Sequence, residues 1–164
     1  MKNPALDEHQ IGLEARADAD DHLAVRTWLR LLSLTTQVEQ EIRTRLRERF
    51  GTTLARFDYL AQLERHPDGL RMSALSRYLM VTGGNVTGLT TQLEGEGLVE
   101  RQPDPEDGRS WRVRLSEQGR RDFAAMAVEH EQWVRALFDG VPVRDQQRLY
   151  ELLGQLRHHL ARPA

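Results

Sequence analysis

The 164-residue sequence contains no cysteine. Disulfides, thiolate metal sites and thiol redox sensing are excluded together. No apolar run approaches the roughly 20 residues that a bilayer-crossing helix needs. The opening Met1-Lys2-Asn3-Pro4 lacks the apolar core of a secretion signal, so a cytoplasmic protein with no membrane partner is expected. Catalytic signatures are missing too: there is no G-x-S-x-G elbow, no GxxxxGK(S/T) phosphate loop and no H-E-x-x-H pair. An enzyme is therefore not expected, and the sequence nominates no catalytic residue and no cofactor. Metal-ligand spacing is likewise lacking, since His130 falls on an apolar helix face and the adjacent His158 and His159 point in diverging directions.

Net positive charge is scarce as well, the formal total being −2. Its distribution says more than its sum. Residues 1–21 set Lys2 and Arg16 against Asp7, Glu8, Glu14, Asp18, Asp20 and Asp21, so the rest of the chain is net positive. Residues 1–20 show little periodicity and read as an acidic, mobile arm. With 39% hydrophobic and 29% charged residues, the remainder suffices for one domain with a core, or a small head plus a helical dimerising part.

The stretch from Leu75 to Leu115 organises what is there. Leu75 and Leu79 stand at i, i+4 on one helix, and Thr82 is placed to cap the next with its hydroxyl. In that second helix Val86, Leu89 and Leu93 share a face, and Gly95 and Gly97 end it. The result is a helix-turn-helix. The opposite face is centred on Gly84, Gly88 and Thr91, with Asn85, Thr87 and Gln92 at its margins. Two interior glycines cost roughly 1 kcal/mol each relative to alanine. Either they permit close approach to a partner such as a DNA major groove, where Asn and Gln pair with adenine, or they relieve crowding against a neighbouring helix.

A hairpin follows. Leu98 to Gln102 and Trp111 to Leu115 suit strands, the second alternating Trp111, Val113 and Leu115 with Arg112 and Arg114, so one face is apolar and the other cationic. Pro103 to Arg109 supplies the turn. Arg109 at the tip suits a narrow minor groove, whose negative potential attracts guanidinium. Asp107 either pairs with Arg109 and holds it ready or simply caps the turn. The Leu-Arg-Met run after Gly69 has the makings of a short third strand.

The residues from Leu75 through Arg109 to Gly119, with Asp107-Gly108-Arg109 at the wing and Leu115-Ser116-Glu117-Gln118-Gly119 opening the next helix, resemble the MarR family of winged helix-turn-helix regulators. The likeness spans roughly Leu23 to Leu160. It implies a mainly α fold with a small β-hairpin: a winged head over 51–115, and helices over 21–50 and 116–164 forming a dimerisation region. It further implies a homodimer that binds double-stranded operator DNA as a repressor and is released by a small aromatic effector. Thr82, Gly84, Asn85, Thr87, Gly88, Thr91, Gln92, Asp107, Arg109 and Arg112 are the expected DNA-contacting residues. A winged-helix protein-docking module without specific DNA binding is the competing class, favoured by the net acidity and disfavoured by the cationic wing.

The flanking helices fit that organisation. A long helix from Asp21 or His22, capped by Asp20 or Asp21, carries Trp28, Leu31, Leu32, Thr35, Val38, Ile42 and Leu46 at spacings of three and four, and its arginine-rich other side reads as a solvated face. Phe57, Leu60, Ala61 and Leu63 mark a second helix. Ser116 caps a third, bearing Phe123, Met126, Ala127, His130, Trp133, Val134 and Leu137, and the last carries Leu149, Leu152, Leu153, Leu156 and Leu160 in one stripe. That stripe exceeds what a small head needs to cover itself, and a second subunit is its expected partner.

A finer likeness lies in WLRLLSLTTQVE, TTLARFDYLAQLERHP and MVTGGNVTGL. These segments resemble the MarR branch that controls aromatic-acid catabolism and responds to hydroxycinnamoyl-coenzyme A thioesters. The resemblance would put the acyl part near Trp28 and Phe57 and the phosphates near Arg43 and Arg47; release by a free phenolic acid is the alternative. Trp28 and Phe57 are equally explained as core.

Overall fold

The computed structural model describes residues 22–107 and 109–161. The acidic arm, the expected caps Asp20 and Asp21, and Gly108 of the wing lie outside them. The element order is α1 (Leu23–Phe50), α2 (Leu54–Glu64), β1 (Leu70–Arg71), α3 (Met72–Leu79), α4 (Gly83–Gly95), β2 (Val99–Pro103), β3 (Trp111–Leu115), α5 (Glu117–Leu137) and α6 (Val143–Leu160). This is the expected mainly α winged helix-turn-helix with a small antiparallel sheet. Two compact units divide between Ala127 and Val128, within α5.

In the first unit the boundaries follow local chemistry. α1 starts after His22, which makes no side-chain cap, and ends at Gly51 in the left-handed region, whose amide donates to the Arg47 carbonyl. Thr53 caps α2 by accepting from the Arg56 amide at 3.3 Å. The sheet order is β1-β3-β2, so the short strand after Gly69 is real and pairs Leu70 with Val113. β2 begins one residue later than expected, at Val99, and Pro103 can close it because its missing N–H falls at the strand end. Ser116 opens α5 by accepting from the Gly119 amide at 2.9 Å while donating to the Gly97 carbonyl at 2.6 Å. A Cβ on Gly119 would stand 1.9 Å from the Leu98 carbonyl oxygen. That close approach is the physical content of the Leu-Ser-x-x-Gly pattern.

The core collects the apolar positions of each period: Leu46 of α1, Tyr59, Leu60 and Leu63 of α2, Leu75 of α3, Val86 and Leu93 of α4, and Val113 and Leu115 of β3. Full burial of such a side chain stabilises by roughly 1.5–3 kcal/mol. α1 behaves differently along its length. Its C-terminal turns bury Ile42 and Leu46, but Leu23, Val25, Trp28 and Leu34 are exposed, so the stripe is longer than the head beneath it.

The second unit, from Val128, holds the end of α5 and all of α6. No residue of α6 is buried, and Leu149, Leu152, Leu153, Leu156 and Leu160 are all exposed. Among the described residues no helix is long and apolar enough to cross a membrane.

Candidate nucleic-acid interface

α4 has one buried and one open face. Val86, Thr90 and Leu93 are buried, whereas Thr82, Gly84, Asn85, Thr87, Gly88, Thr91 and Gln92 are all exposed. Cβ atoms built on Gly83, Gly84 and Gly88 would meet no atom within 4 Å. Crowding within the chain therefore does not account for these glycines. Thr82 stands at the cap position, but its hydroxyl makes no cap bond. This corrects the expected role: the helix opens on the Thr82 carbonyl instead, which accepts from the Val86 amide at 3.2 Å.

The buried face explains how the open one is held. Thr90, a residue outside the expected apolar set, is fully buried and its Oγ1 donates to the Val86 carbonyl at 2.7 Å. That uses its one proton, so the Tyr59 hydroxyl donates to Thr90 Oγ1 at 2.6 Å and links α2 to α4. Burial pushes the Tyr59 phenol up to about 12, which keeps it a donor. Arg56 grips Glu96, just past α4, with two hydrogen bonds, one of them 2.8 Å long. The same contact holds the Glu96 carboxyl below the usual carboxylate range.

The wing is built around Asp104, which is only 2% exposed. Arg71 Nε and Arg112 Nε donate to its Oδ2 at 2.6 and 2.8 Å, Arg71 Nη2 to its Oδ1 at 3.1 Å, and the Glu106 amide to its Oδ1 at 2.8 Å. The Arg71 hydrogen bond above all, with those from Arg112 and the Glu106 amide, holds the Asp104 carboxyl well below the usual range, against burial that opposes it. The same pair raises Arg71. One carboxylate thereby joins the base of the wing to β1 and β3. Sequence periodicity passes over Asp104 because Pro-Asp-Pro reads as turn chemistry; the only clue was an acid placed before a strand carrying two arginines.

The expected cationic strand face is neutralised. Arg112 is bound by Asp104, and Arg114 pairs with its cross-strand partner Glu100 at 3.1 Å. Thr91 receives a hydrogen bond from Arg101, which also pairs with Glu94. At the tip Asp107 Oδ1 accepts from the Arg109 amide at 3.0 Å and its carbonyl from the Ser110 amide at 2.9 Å. Asp107 thus caps the turn, and Arg109 stands exposed at its end.

The expected effector residues do not gather in one place. Phe57 is buried with its ring 5.4 Å from that of Phe123, Trp28 is 59% exposed, and Arg47 is exposed in the last turn of α1. Arg43, paired with Glu39 at 3.0 Å, lines a cleft of about 560 Å³ between α1, α2 and α4. Leu54, Leu79, Val81 and Leu89 supply its apolar wall, and Gly84, Asn85, Gly88 and Gln92 of α4 complete it. No cluster of three His, Asp or Glu side chains suited to a metal occurs among the described residues.

The comparisons with known proteins agree with this geometry. A family model described as MarR family matches residues 50–110, from the end of α1 through the wing. The transcriptional activatory protein BadR of Rhodopseudomonas palustris is 32% identical over 120 residues, which cover 72% of this chain and 68% of that protein. A MarR family transcriptional regulator from Silicibacter pomeroyi superposes with a TM-score of 0.73 at 30% identity, over 88% of this chain and 99% of that one. Sco3205, a MarR family regulator of Streptomyces coelicolor crystallised in complex with DNA, shares the fold at 23% identity with a TM-score of 0.75, over 88% of this chain and 93% of that one. The chain belongs to the MarR family of winged helix-turn-helix transcriptional regulators.

Proposed function

We propose that this regulator is a homodimeric repressor that grips palindromic operator DNA and lets go when an aromatic effector enters the cleft between α1, α2 and α4. One observation carries the reading: Gly84, Asn85, Gly88 and Gln92 belong at once to the open face of α4 and to the cleft wall. A ligand and a DNA groove would compete for the same surface, so each must weaken the other by the same factor. The volume falls in the range of small-molecule sites, with an apolar wall and a polar side formed by Glu39, Arg43, Asp58, Asn85 and Gln92. A carboxylate or phosphate would replace Glu39 on Arg43.

The DNA step is supported by the glycine-rich face, by Arg109, and by the DNA-bound structure of Sco3205. The dimer is supported by the leucine stripe of α6, none of whose residues is buried. Two such heads would meet DNA about one helical turn apart, roughly 34 Å. The effector proposed is a hydroxycinnamoyl-coenzyme A thioester, its ring against Leu79 and Leu89 and its phosphates toward Arg43 and Arg47. Repression rather than activation depends on where the operator lies relative to the promoter, and BadR is named an activator.

The test is binding to the DNA beside its own gene at two salt concentrations, with and without feruloyl-coenzyme A and free ferulate. Salt-sensitive binding abolished by the thioester is the expected result. Tight release by the free acid alone would replace the thioester with the acid, and absence of DNA binding across a wider operator search would favour a protein-docking module.

A further inference from the structure

The turn between α3 and α4 contains a methionine where glycine would fold more easily. The Met80 amide donates to the Arg77 carbonyl at 3.3 Å and the Val81 amide to the Ser76 carbonyl at 3.2 Å. This is the paired bonding of a Schellman ending, which places Met80 at the left-handed position that glycine normally takes. Its φ is +53, and it is the one non-glycine residue with positive φ among the described residues; Gly51, Gly69, Gly97 and Gly140 fill the other such positions. The Ser76 hydroxyl adds a bond to the Val81 carbonyl at 2.5 Å, so the turn is braced at both ends.

The chain gains nothing visible in return. Met80 is 93% exposed, so its side chain offsets none of the backbone strain by burial. It stands two residues before the cap of α4, whose first turn carries Gly83 and Gly84, where a Cβ would meet open space. Of the two exposed apolar side chains that precede α4, Met80 and Val81, the far more exposed one is thus held out on a rigid turn. A thioether carries no donor and gains little from phosphate oxygens. Of the features a major groove displays, the apolar one is the thymine C5-methyl, and methionine adapts to such a surface through three rotatable bonds.

We propose that Met80 reads a thymine methyl at the edge of each operator half-site, making it a specificity-determining residue beside the polar face of α4. The inference rests on the operator-binding reading above. To test it, a duplex is selected from randomised DNA with the wild-type protein, and each thymine is then replaced singly by deoxyuracil. Wild type should bind about fourfold more weakly at one thymine per half-site, the loss expected for one apolar methyl contact. Met80→Gly should bind the thymine and uracil duplexes alike at that position, while remaining dimeric and melting at a higher temperature than wild type. Indifference of wild type to every uracil would overturn the proposal. So would a Met80→Gly defect that persists equally on every duplex or that comes from dissociation of the dimer. Selection of no duplex at all would instead remove the operator reading, and this proposal with it.

Discussion

Gly88 and Arg109 make opposite contributions at the scale of single residues: one is useful for what it lacks, the other for what it extends. Leucine has a helix propensity roughly 0.8 kcal/mol better than glycine, and a Cβ at Gly88 meets nothing. Gly88→Leu should therefore melt no lower than wild type while losing operator affinity at least tenfold, a combination that thermal melts and fluorescence anisotropy together would reveal. A variant equally stable and equally tight would mean that α4 does not approach DNA closely. Arg109→Ala removes one exposed cation per subunit at the wing tip. Operator binding should weaken, and the slope of log affinity against log salt should flatten by about 2 for the dimer, close to one released counterion per arginine. The thymine methyl assigned to Met80 belongs to the same scale.

The wing behaves as a unit because one buried carboxylate serves three segments. Asp104 titrates lower in the folded protein than in the unfolded chain, where aspartate lies near 3.9. Its stabilising contribution is therefore complete above that value and is lost progressively as pH falls below it toward the lower value of the folded state. Asp104→Asn should lower the thermal midpoint at pH 7, and the gap from wild type should begin to narrow in a pH series run below 4 toward 3. A gap that is independent of pH would assign the loss to packing rather than to the arginine bonds. The variant should also weaken DNA binding at neutral pH, since Arg71 and Arg112 would no longer fasten the wing to the sheet. In α4 the Tyr59–Thr90 bond has a comparable part. Tyr59→Phe should cost about 1 kcal/mol by denaturant titration, because Thr90 keeps its bond to Val86.

For the whole molecule the deciding feature is surface left uncovered. α6 carries five leucines at spacings of three and four, none buried. If a second copy covers them, Leu152→Glu with Leu156→Glu should yield monomers by sedimentation and lose palindrome binding far more than half-site binding, because two linked heads gain from effective concentration. Retention of the dimer would move the interface elsewhere. The first unit, with its own core, should keep its wing and helix-turn-helix in such a variant, which the far-UV signal and half-site binding would register.

Element types and most boundaries were legible in the sequence because they depend on short-range periodicity and punctuation. Apolar spacings of three and four marked every helix, the alternation of Trp111, Val113 and Leu115 marked β3 to the residue, and the Ser116-x-x-Gly119 start and Gly51 stop are local chemistry. The exposed polar face of α4 was legible for the same reason, since one helical wheel contains it. What periodicity cannot carry is which charges meet. Arg112 and Arg114 looked like a cationic face, yet Asp104 and Glu100 come to them only when the strands pair. Nor does a helical wheel register whether a Cβ would strike a neighbour, which is what removed crowding as the reason for Gly84 and Gly88. Trp28 and Phe57 shared an aromatic character in the sequence, but the fold buries one against Phe123 and leaves the other on an uncovered stretch of α1. The left-handed backbone at Met80 was invisible for a related reason, being imposed by two hydrogen bonds across the turn rather than by the residue itself. The sequence determined the local elements and their polar and apolar faces; long-range pairing of charges, close backbone approaches and the placement of the cleft were decided by tertiary structure, because each needs residues distant in the chain to arrive at one point.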